Sequence, residues 1–92
     1  MIKSFRCQHT EALYRGRPTR RFCAFQAVAE RKLQMLDIAR RIGDLRIPPA
    51  NRLEALKGDR QEQFSIRIND QWRLCFRFED GNAYDVEIVD YH

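Results

Sequence analysis

The chain has 92 residues and a formal net charge of +4 at pH 7, with 43% hydrophobic and 33% charged residues. This length allows a single domain over residues 1–92 with one hydrophobic core, and it excludes a second buried module. The composition is that of a chain that folds rather than remains disordered. No apolar run approaches the ~20 residues that span a bilayer, and no secretory signal is visible, so we expect a cytoplasmic protein that does not enter a membrane.

Charge is distributed unevenly along the chain. Residues 1–52 carry 12 Lys and Arg against 4 acidic residues, whereas residues 53–92 carry 5 against 9. A basic half fits a polyanionic partner such as RNA or DNA, whose phosphates attract Lys and Arg. It equally fits an ordinary solvated surface, so charge alone leaves both interpretations open.

The cysteines and histidines predict no metal site and no cofactor. Cys7, Cys23 and Cys75 are odd in number and never spaced as CxxC, which argues against a disulfide framework and a zinc knuckle. We interpret all three as buried, reduced thiols. His9 lies in a segment without a ligand-spaced partner.

The first half of the chain is predicted to be mostly helical. Residues 2–6 alternate as a short strand does, and residues 10–15 allow one or two helical turns. From about Phe22, apolar residues recur at three- and four-residue spacing and predict an amphipathic helix that ends near Gly43. The two prolines of segment 45–51 then require a crossing loop.

The second half predicts strands. Residues 52–56 offer a short strand and residues 57–63 a polar turn, and apolar and polar residues alternate through most of the last thirty positions. These thirty residues predict an antiparallel three-stranded meander, with one face against the long helix. The predicted fold class is therefore α+β.

The requirement that cross-strand partners share a face sets the expected register. It pairs Ile66 with Leu74 and Ile68 with Trp72 around a three-residue loop, 69–71. The same reasoning predicts a second three-residue loop, Asp80-Gly81-Asn82, between the last two strands. The pairs expected beyond that loop are Phe78 with Tyr84 and Phe76 with Val86. On the opposite face the expected pairs are Arg67 with Arg73, Arg77 with Asp85, Cys75 with Glu87, and Arg73 with Val89.

The chain ends in Asp90, Tyr91 and His92. In the expected register Tyr91 falls on the face of Arg73, and Asp90 and His92 flank it. Cleavage of RNA by its own 2′-OH needs a base, an acid and cations that stabilise the phosphate, without a metal. His92 suits the acid or base role because imidazole titrates near pH ~6.5.

The other terminal residues suit supporting roles. Asp90 would orient His92 or act as base, and Tyr91 would hydrogen-bond the phosphate or stack on a base. Arg73 and Lys57 would supply positive charge. The alternative is that the arginines are exposed strand residues paired with acids and that the terminus is solvated.

Four stretches together closely resemble the HigB toxins of bacterial toxin–antitoxin systems, within the RelE/ParE superfamily: MIKSF at the start, LKGDR at 56–60, FSIRINDQWRLCF at 64–76 and IVDYH at the end. The resemblance spans nearly the whole chain. It implies a RelE-like, microbial RNase-like fold, in which a curved antiparallel sheet packs against N-terminal helices.

The resemblance also implies a function. Such toxins are ribosome-dependent endoribonucleases (mRNA interferases) that cut mRNA in the decoding site and inhibit translation. A helix-turn-helix antitoxin of the HigA type neutralises them, and we expect a higher-order hetero-oligomer. The partners implied are this antitoxin, the bacterial ribosome and mRNA.

The family's active-site residues map onto named positions of this chain. Lys57 and Arg73 match basic active-site positions, and Asp90, Tyr91 and His92 match the catalytic tail. Glu54 departs from the pattern, because many members carry histidine there. Either Glu54 acts as a base, or the acid–base work shifts to Asp90 and His92.

The basic residues have a role in this interpretation as contacts to RNA or the ribosome, with solubility and antitoxin contacts as the alternative. They are Arg15, Arg17, Arg20, Arg21, Arg31, Lys32, Arg40, Arg41 and Arg67. Two other functions remain open: a toxin that binds DNA gyrase without cutting RNA, and an inactive module that only binds its antitoxin.

Overall fold

The computed structural model describes residues 1–17, 19–60 and 62–90. Two α-helices, α1 (Gln8–Tyr14) and α2 (Gln26–Ile38), precede an antiparallel sheet in the spatial order β1-β2-β3-β4. The strands are β1 (Glu54–Ala55), β2 (Gln63–Arg67), β3 (Trp72–Glu79) and β4 (Asn82–Asp90). Short 3₁₀ helices cover Arg20–Phe25, Ile42–Arg46, Pro49–Asn51 and Gly58–Arg60. The architecture is of the predicted α+β class, and none of its described helices is long and apolar enough to cross a bilayer.

The hydrophobic core lies between α2 and one face of the sheet. Ile66, Leu74 and Phe76 are fully buried at alternate positions of β2 and β3. They belong to one cluster with Leu33 and Leu36, which lie three residues apart on α2. The alternating residues of the strands and the regularly spaced residues of α2 therefore pack into a single core, as predicted.

The helix α2 is shorter than its apolar spacing predicts. It ends at Ile38, and the next residue is already extended. The Asp44 carboxylate accepts hydrogen bonds from the backbone N–H groups of Arg40 and Arg41, at 3.0 and 3.1 Å. These bonds begin a new 3₁₀ turn and compete with continuation of the helix. The predicted end near Gly43 is therefore wrong.

The register of the β2–β3 hairpin agrees with the prediction. Ile66 pairs with Leu74, and the Ile68 amide donates to the Trp72 carbonyl at 3.0 Å. The side-chain oxygen of Asn69 accepts hydrogen bonds from the backbone N–H groups of Gln71 and Trp72, at 2.9 and 2.8 Å. Asn69 therefore holds the predicted three-residue loop closed.

The turn between β3 and β4 differs from the prediction. It has two residues, Asp80 and Gly81, so that Phe78 pairs with Ala83 instead of Tyr84. Both turn residues have positive φ, 52° and 78°, as a type I′ hairpin turn requires. Asp-Gly is a strong sequence pattern for this turn, and it outweighs the expected pairing of Phe78 with Tyr84.

A β-bulge restores the predicted register farther along β4. Between Cys75 and Arg77, one β3 residue faces two β4 residues, and one of the two is Asp85, with φ 54°. Beyond the bulge Cys75 pairs with Glu87, as predicted. The predicted pairing of Phe76 with Val86 falls within this bulge and not in the regular ladder. The predicted pairing of Arg77 with Asp85 is wrong in the backbone register, because Arg77 pairs with Tyr84. The Arg77 Nε nevertheless donates to Asp85 Oδ2 at 3.0 Å.

The N-terminal segment 2–6 lies parallel to β4 without forming a continuous strand. Ile2 bridges to Ala83 and Phe5 bridges to Val86. The predicted strand is thus reduced to two isolated bridges, which still bring the start of the chain to the sheet.

Candidate active site

The sheet face away from α2 is polar but also buried. We call it the polar face, and it comprises Gln63, Ser65, Arg67, Arg73, Cys75 and Glu87. Ser65 and Cys75 are fully buried, and Arg73 is only 9% exposed. A buried guanidinium is costly unless it is paired, so the contacts of Arg73 determine what this face can do.

Arg73 is oriented by three segments of the chain. Its Nε donates to Ser65 Oγ at 2.9 Å, and its Nη2 donates to the Arg52 carbonyl at 2.6 Å. Its Nη1 lies 3.8 Å from Glu54 Oε1. Contacts from β1, β2 and the loop before β1 therefore hold one cation in a defined position.

A cavity of about 290 Å³ opens beside Arg73. Three arginines and two acidic residues line it, which leaves an excess of positive charge. Such a site suits a phosphate group with a carboxylate at its side. The lining residues are Arg52, Glu54, Arg67, Asn69, Asp70 and Arg73.

Glu54 lines this cavity and is also accessible to solvent. It lies on β1 opposite Ser65, and its side chain is 52% exposed. The strand β1 has only two residues and forms the edge of the sheet. Glu54 can therefore meet a ligand bound beside Arg73.

The structure brings together some of the predicted catalytic residues and separates others. Arg73 and Glu54 line the same cavity. Asp90 pairs with Trp72, which places it on the other face of the sheet, and its carboxylate accepts a hydrogen bond from Gln71 Nε2 at 3.0 Å. Lys57 is exposed and is not among the residues that line the cavity. Tyr91 and His92 lie outside the described residues.

The predicted RNA contacts are exposed with two exceptions. Arg67 is partly buried, lines the cavity and bonds to Asp70. Lys32 is buried, only 7% exposed, and its Nζ donates to Asn51 Oδ1. Placing Lys32 on an RNA surface is therefore wrong. The exposed members are Arg15, Arg17, Arg20, Arg21, Arg31, Arg40 and Arg41.

The far end of the polar face is closed by an ion pair. Arg60 Nη1 donates to Glu87 Oε1 at 2.7 Å and to Gln63 Oε1 at 3.2 Å. Burial raises the pKa of the adjacent Cys75 thiol to about 11, so this cysteine is a packing residue and not a nucleophile. The expectation of three buried thiols holds for Cys75 and is wrong for Cys23, which is exposed. No group of His, Cys, Asp or Glu within the described ranges could hold a metal.

Sequence reasoning missed several residues that shape the cavity. Asn69 and Asp70 were placed in the β2–β3 loop without a functional role. Ser65 could have been found, since the predicted register places it next to Arg73 on the same face. Arg52 could not, because it reaches the cavity and offers its carbonyl to Arg73 from a left-handed conformation, with φ 46°.

The sequence matches, over residues 3–92, the profile of a family described as the RelE-like toxin of the type II toxin-antitoxin system HigB. The chain belongs to this HigB-like toxin family. Toxin HigB-1 of Vibrio cholerae is 53% identical over 56 residues, which cover 61% of this chain and 59% of that protein. Endoribonuclease HigB of Proteus vulgaris is 41% identical over 61 residues, which cover 66% of this chain and 65% of that protein. Both alignments span less than two thirds of the relative's own length.

A solved structure supports the same fold. A chain of the heterotetrameric YoeB-YefM toxin-antitoxin complex of Staphylococcus aureus superposes with a TM-score of 0.59 at 20% identity. The superposition covers 100% of the HigB-like chain and 95% of that chain. The RelE-like fold expected from the sequence is thereby confirmed.

Proposed function

We propose that this HigB-like protein is the toxin of a type II toxin–antitoxin system and acts as a metal-independent endoribonuclease on mRNA. The observation that carries the proposal is the cavity in which Glu54 stands beside the oriented guanidinium of Arg73. The relative named Endoribonuclease HigB adds support from the same family.

The chemistry follows from the charges in the cavity. The RNA 2′-OH attacks the adjacent phosphate when a base removes its proton, and cations stabilise the pentacoordinate phosphate. Glu54 is the candidate base, and Arg73 with Arg52 binds the phosphate. We propose the terminal residues Asp90, Tyr91 and His92 as the source of the acid that protonates the leaving 5′-oxygen, and Lys57 as an additional cation.

The basic surface supports delivery of mRNA by the ribosome. The exposed arginines of the first half lie after α1, in the 3₁₀ helix before α2, on α2 and in the segment after it. We propose that they contact ribosomal RNA in the decoding site, so that cleavage depends on the ribosome. Binding through several phosphates should weaken steeply as the salt concentration rises, and affinity that is insensitive to salt would contradict this part of the proposal.

An antitoxin is the expected protein partner. One chain of the heterotetrameric YoeB-YefM toxin-antitoxin complex has the same fold. We propose that a helix-turn-helix antitoxin of the HigA type binds this chain in a higher-order hetero-oligomer and that both proteins act in the cytoplasm, where translating ribosomes are found.

The proposal is tested by primer extension on a defined mRNA in a purified translation system, with and without ribosomes. We expect cuts within codons only when ribosomes are present. Arg73→Lys should reduce the cleavage rate by about 10²-fold because a lysine cannot make the three oriented contacts of the guanidinium. Arg77→Lys is the matched control, since Arg77 bonds to Asp85 outside the cavity.

Intact mRNA in every reaction would contradict the nuclease function. A gyrase supercoiling assay and an antitoxin-binding assay would then decide between the two alternative functions. Both variants keep the positive charge, so an equal loss of cleavage in the two would show that the oriented guanidinium of Arg73 has no special role.

A further inference from the structure

Lys32 is a buried lysine whose partner is a neutral side chain. It lies on α2, is 7% exposed and donates through Nζ to Asn51 Oδ1. Burial lowers the pKa of Lys32, and the neighbouring Arg31 and Arg67 lower it further. Because an amide offsets the desolvation of an ammonium group less well than a carboxylate does, this contact is an expensive way to stabilise a fold.

Asn51 links Lys32 to the loop before β1. Its side chain is fully buried, and its Nδ2 donates to the Leu45 carbonyl at 3.1 Å and to the Ile47 carbonyl at 3.5 Å. Asn51 follows the proline pair at 48–49 and bonds to two carbonyls that precede it, so this one side chain connects α2 to both ends of the proline loop. The loop has little freedom to shift while these bonds are made.

The next residue, Arg52, enters the candidate active site. Its backbone is left-handed, with φ 46° and ψ 58°, a conformation that a residue with a side chain adopts only when its surroundings impose it. Its amide donates to the Pro49 carbonyl at 3.0 Å, and its own carbonyl accepts from Arg73 Nη2 at 2.6 Å. The orientation of Arg73 therefore depends on where Asn51 holds this loop.

We propose that Lys32 and Asn51 are positioning residues, which hold the Arg52 carbonyl in place and through it orient the Arg73 guanidinium toward the cavity. The functional part of this inference rests on the proposed nuclease activity. Neither residue needs to touch RNA. The chain of contacts runs from Lys32 Nζ to Asn51, along the backbone to Arg52, and from its carbonyl to Arg73.

A purely structural role for Lys32 predicts something different. Replacing a buried charge by an apolar side chain of similar length is often neutral or stabilising. Lys32→Met should then fold at least as well as the native protein and leave Arg73 unchanged. If Lys32 positions the loop, the same variant should fold, but the Arg73 guanidinium should no longer be held by the Arg52 carbonyl.

The test follows Arg73 directly by NMR. In uniformly ¹⁵N-labelled protein, the Nη2–H signal of Arg73 reports the group that donates to the Arg52 carbonyl. The signal is assigned by its loss in Arg73→Lys, and its exchange with solvent is measured in the native protein and in Lys32→Met. We expect the Nη2–H exchange to accelerate about tenfold in Lys32→Met, because exchange reports local opening. Lys3→Met is the control that removes the same charge from an exposed site near the N-terminus.

Kinetics on the same proteins give the second readout. A cation displaced by about 1 Å lowers kcat by roughly tenfold or more, whereas the KM for ribosome-bound mRNA should change little because the basic surface is intact. Should Lys32→Met fail to fold, Asn51→Asp makes the same test. It keeps an acceptor for Lys32 Nζ but loses the two donated bonds that hold the loop, and it is expected to show the same changes.

The outcomes separate this inference from the proposed function. An Arg73 signal that exchanges as in the native protein, in a folded variant at position 32 or 51, overturns the inference even if the native protein cleaves mRNA. Faster exchange with native kcat overturns the positioning role. If the native protein does not cleave at all, the proposed function fails, and the exchange measurement alone decides whether Lys32 and Asn51 orient Arg73.

Discussion

The two faces of the sheet are both buried, but they are held by different forces. On the face toward α2, apolar side chains such as Phe76 and Leu74 are removed from water by packing. On the polar face, Ser65 is fully buried and Arg73 is 9% exposed, and the two are joined by a directed hydrogen bond. Packing tolerates substitution as long as volume is kept, whereas a buried polar network fails when one partner is lost. Stability should therefore depend mainly on one face, and chemistry on the other.

Truncating the apolar face should have the largest effect. Phe76→Ala removes a fully buried ring and should lower the free energy of unfolding by about 3–5 kcal/mol, measured by urea denaturation followed by circular dichroism. Ile47→Ala is the control, because Ile47 is 76% exposed and its loss should change stability by less than ~0.5 kcal/mol. Equal denaturation midpoints for the two variants would contradict the assignment of stability to this face.

Neutralising Glu54 should affect activity and spare the fold. Glu54→Gln keeps the size of the side chain but removes the candidate base, so mRNA cleavage should slow by about 10²-fold, while a half-exposed ion pair contributes at most ~1 kcal/mol to stability. Glu54→His supplies another base and should cleave faster than Glu54→Gln. Glu79→Gln, which loses an exposed carboxylate outside the cavity, should cleave like the native protein. A native rate in Glu54→Gln would exclude Glu54 as the base.

Local patterns predicted the faces of the sheet better than its turns and helix ends. Alternation of side chains assigns Ile66 and Leu74 to one face whatever the loop, because a one-residue slip would expose the core. The Asp80-Gly81 turn was missed because that argument assumed an unbroken ladder up to the turn, and the bulge at Asp85 breaks it. The end of α2 depends on the Asp44 carboxylate, which competes with the helix for backbone amides.

The candidate site was predictable where it depends on strand register and not where it depends on a loop. The pairing of Arg67 with Arg73 was correctly predicted, and it places both on the wall of the cavity. The position of Asp90 on the other face follows from its pairing with Trp72. Arg52 reaches the site through a left-handed backbone after two prolines, and no periodic pattern predicts such a conformation.

The exposed Cys23 and the buried Cys75 should differ in thiol reactivity by about two orders of magnitude. The pKa of Cys75 is raised to about 11 by burial on the polar face, so at pH 8 its thiolate fraction is roughly 10²-fold below that of an ordinary thiol with a pKa near 8.5. Cys23 is exposed and should react quickly. Labelling with a maleimide, followed by mass spectrometry of the peptides, measures both rates in one sample, and Cys23→Ala identifies the fast phase. Rapid labelling of Cys75 would mean that the polar face opens readily to solvent.

The smallest predicted effect comes from substituting two neighbouring residues, Ser65 and Ile66, whose side chains lie on opposite faces of the sheet. Ser65→Ala leaves Arg73 Nε without its acceptor, and an unsatisfied buried donor costs about 1–3 kcal/mol. Ile66→Val removes one methyl group from the apolar face and should cost about 0.5–1.5 kcal/mol. The two changes overlap in stability but not in function, because only Ser65→Ala loosens the guanidinium beside the cavity. Denaturation midpoints and cleavage rates are measured for both variants. If the two faces have separate roles, Ser65→Ala should cleave more slowly than Ile66→Val at similar stability. Equal cleavage rates would show that Arg73 stays oriented without the Ser65 hydroxyl.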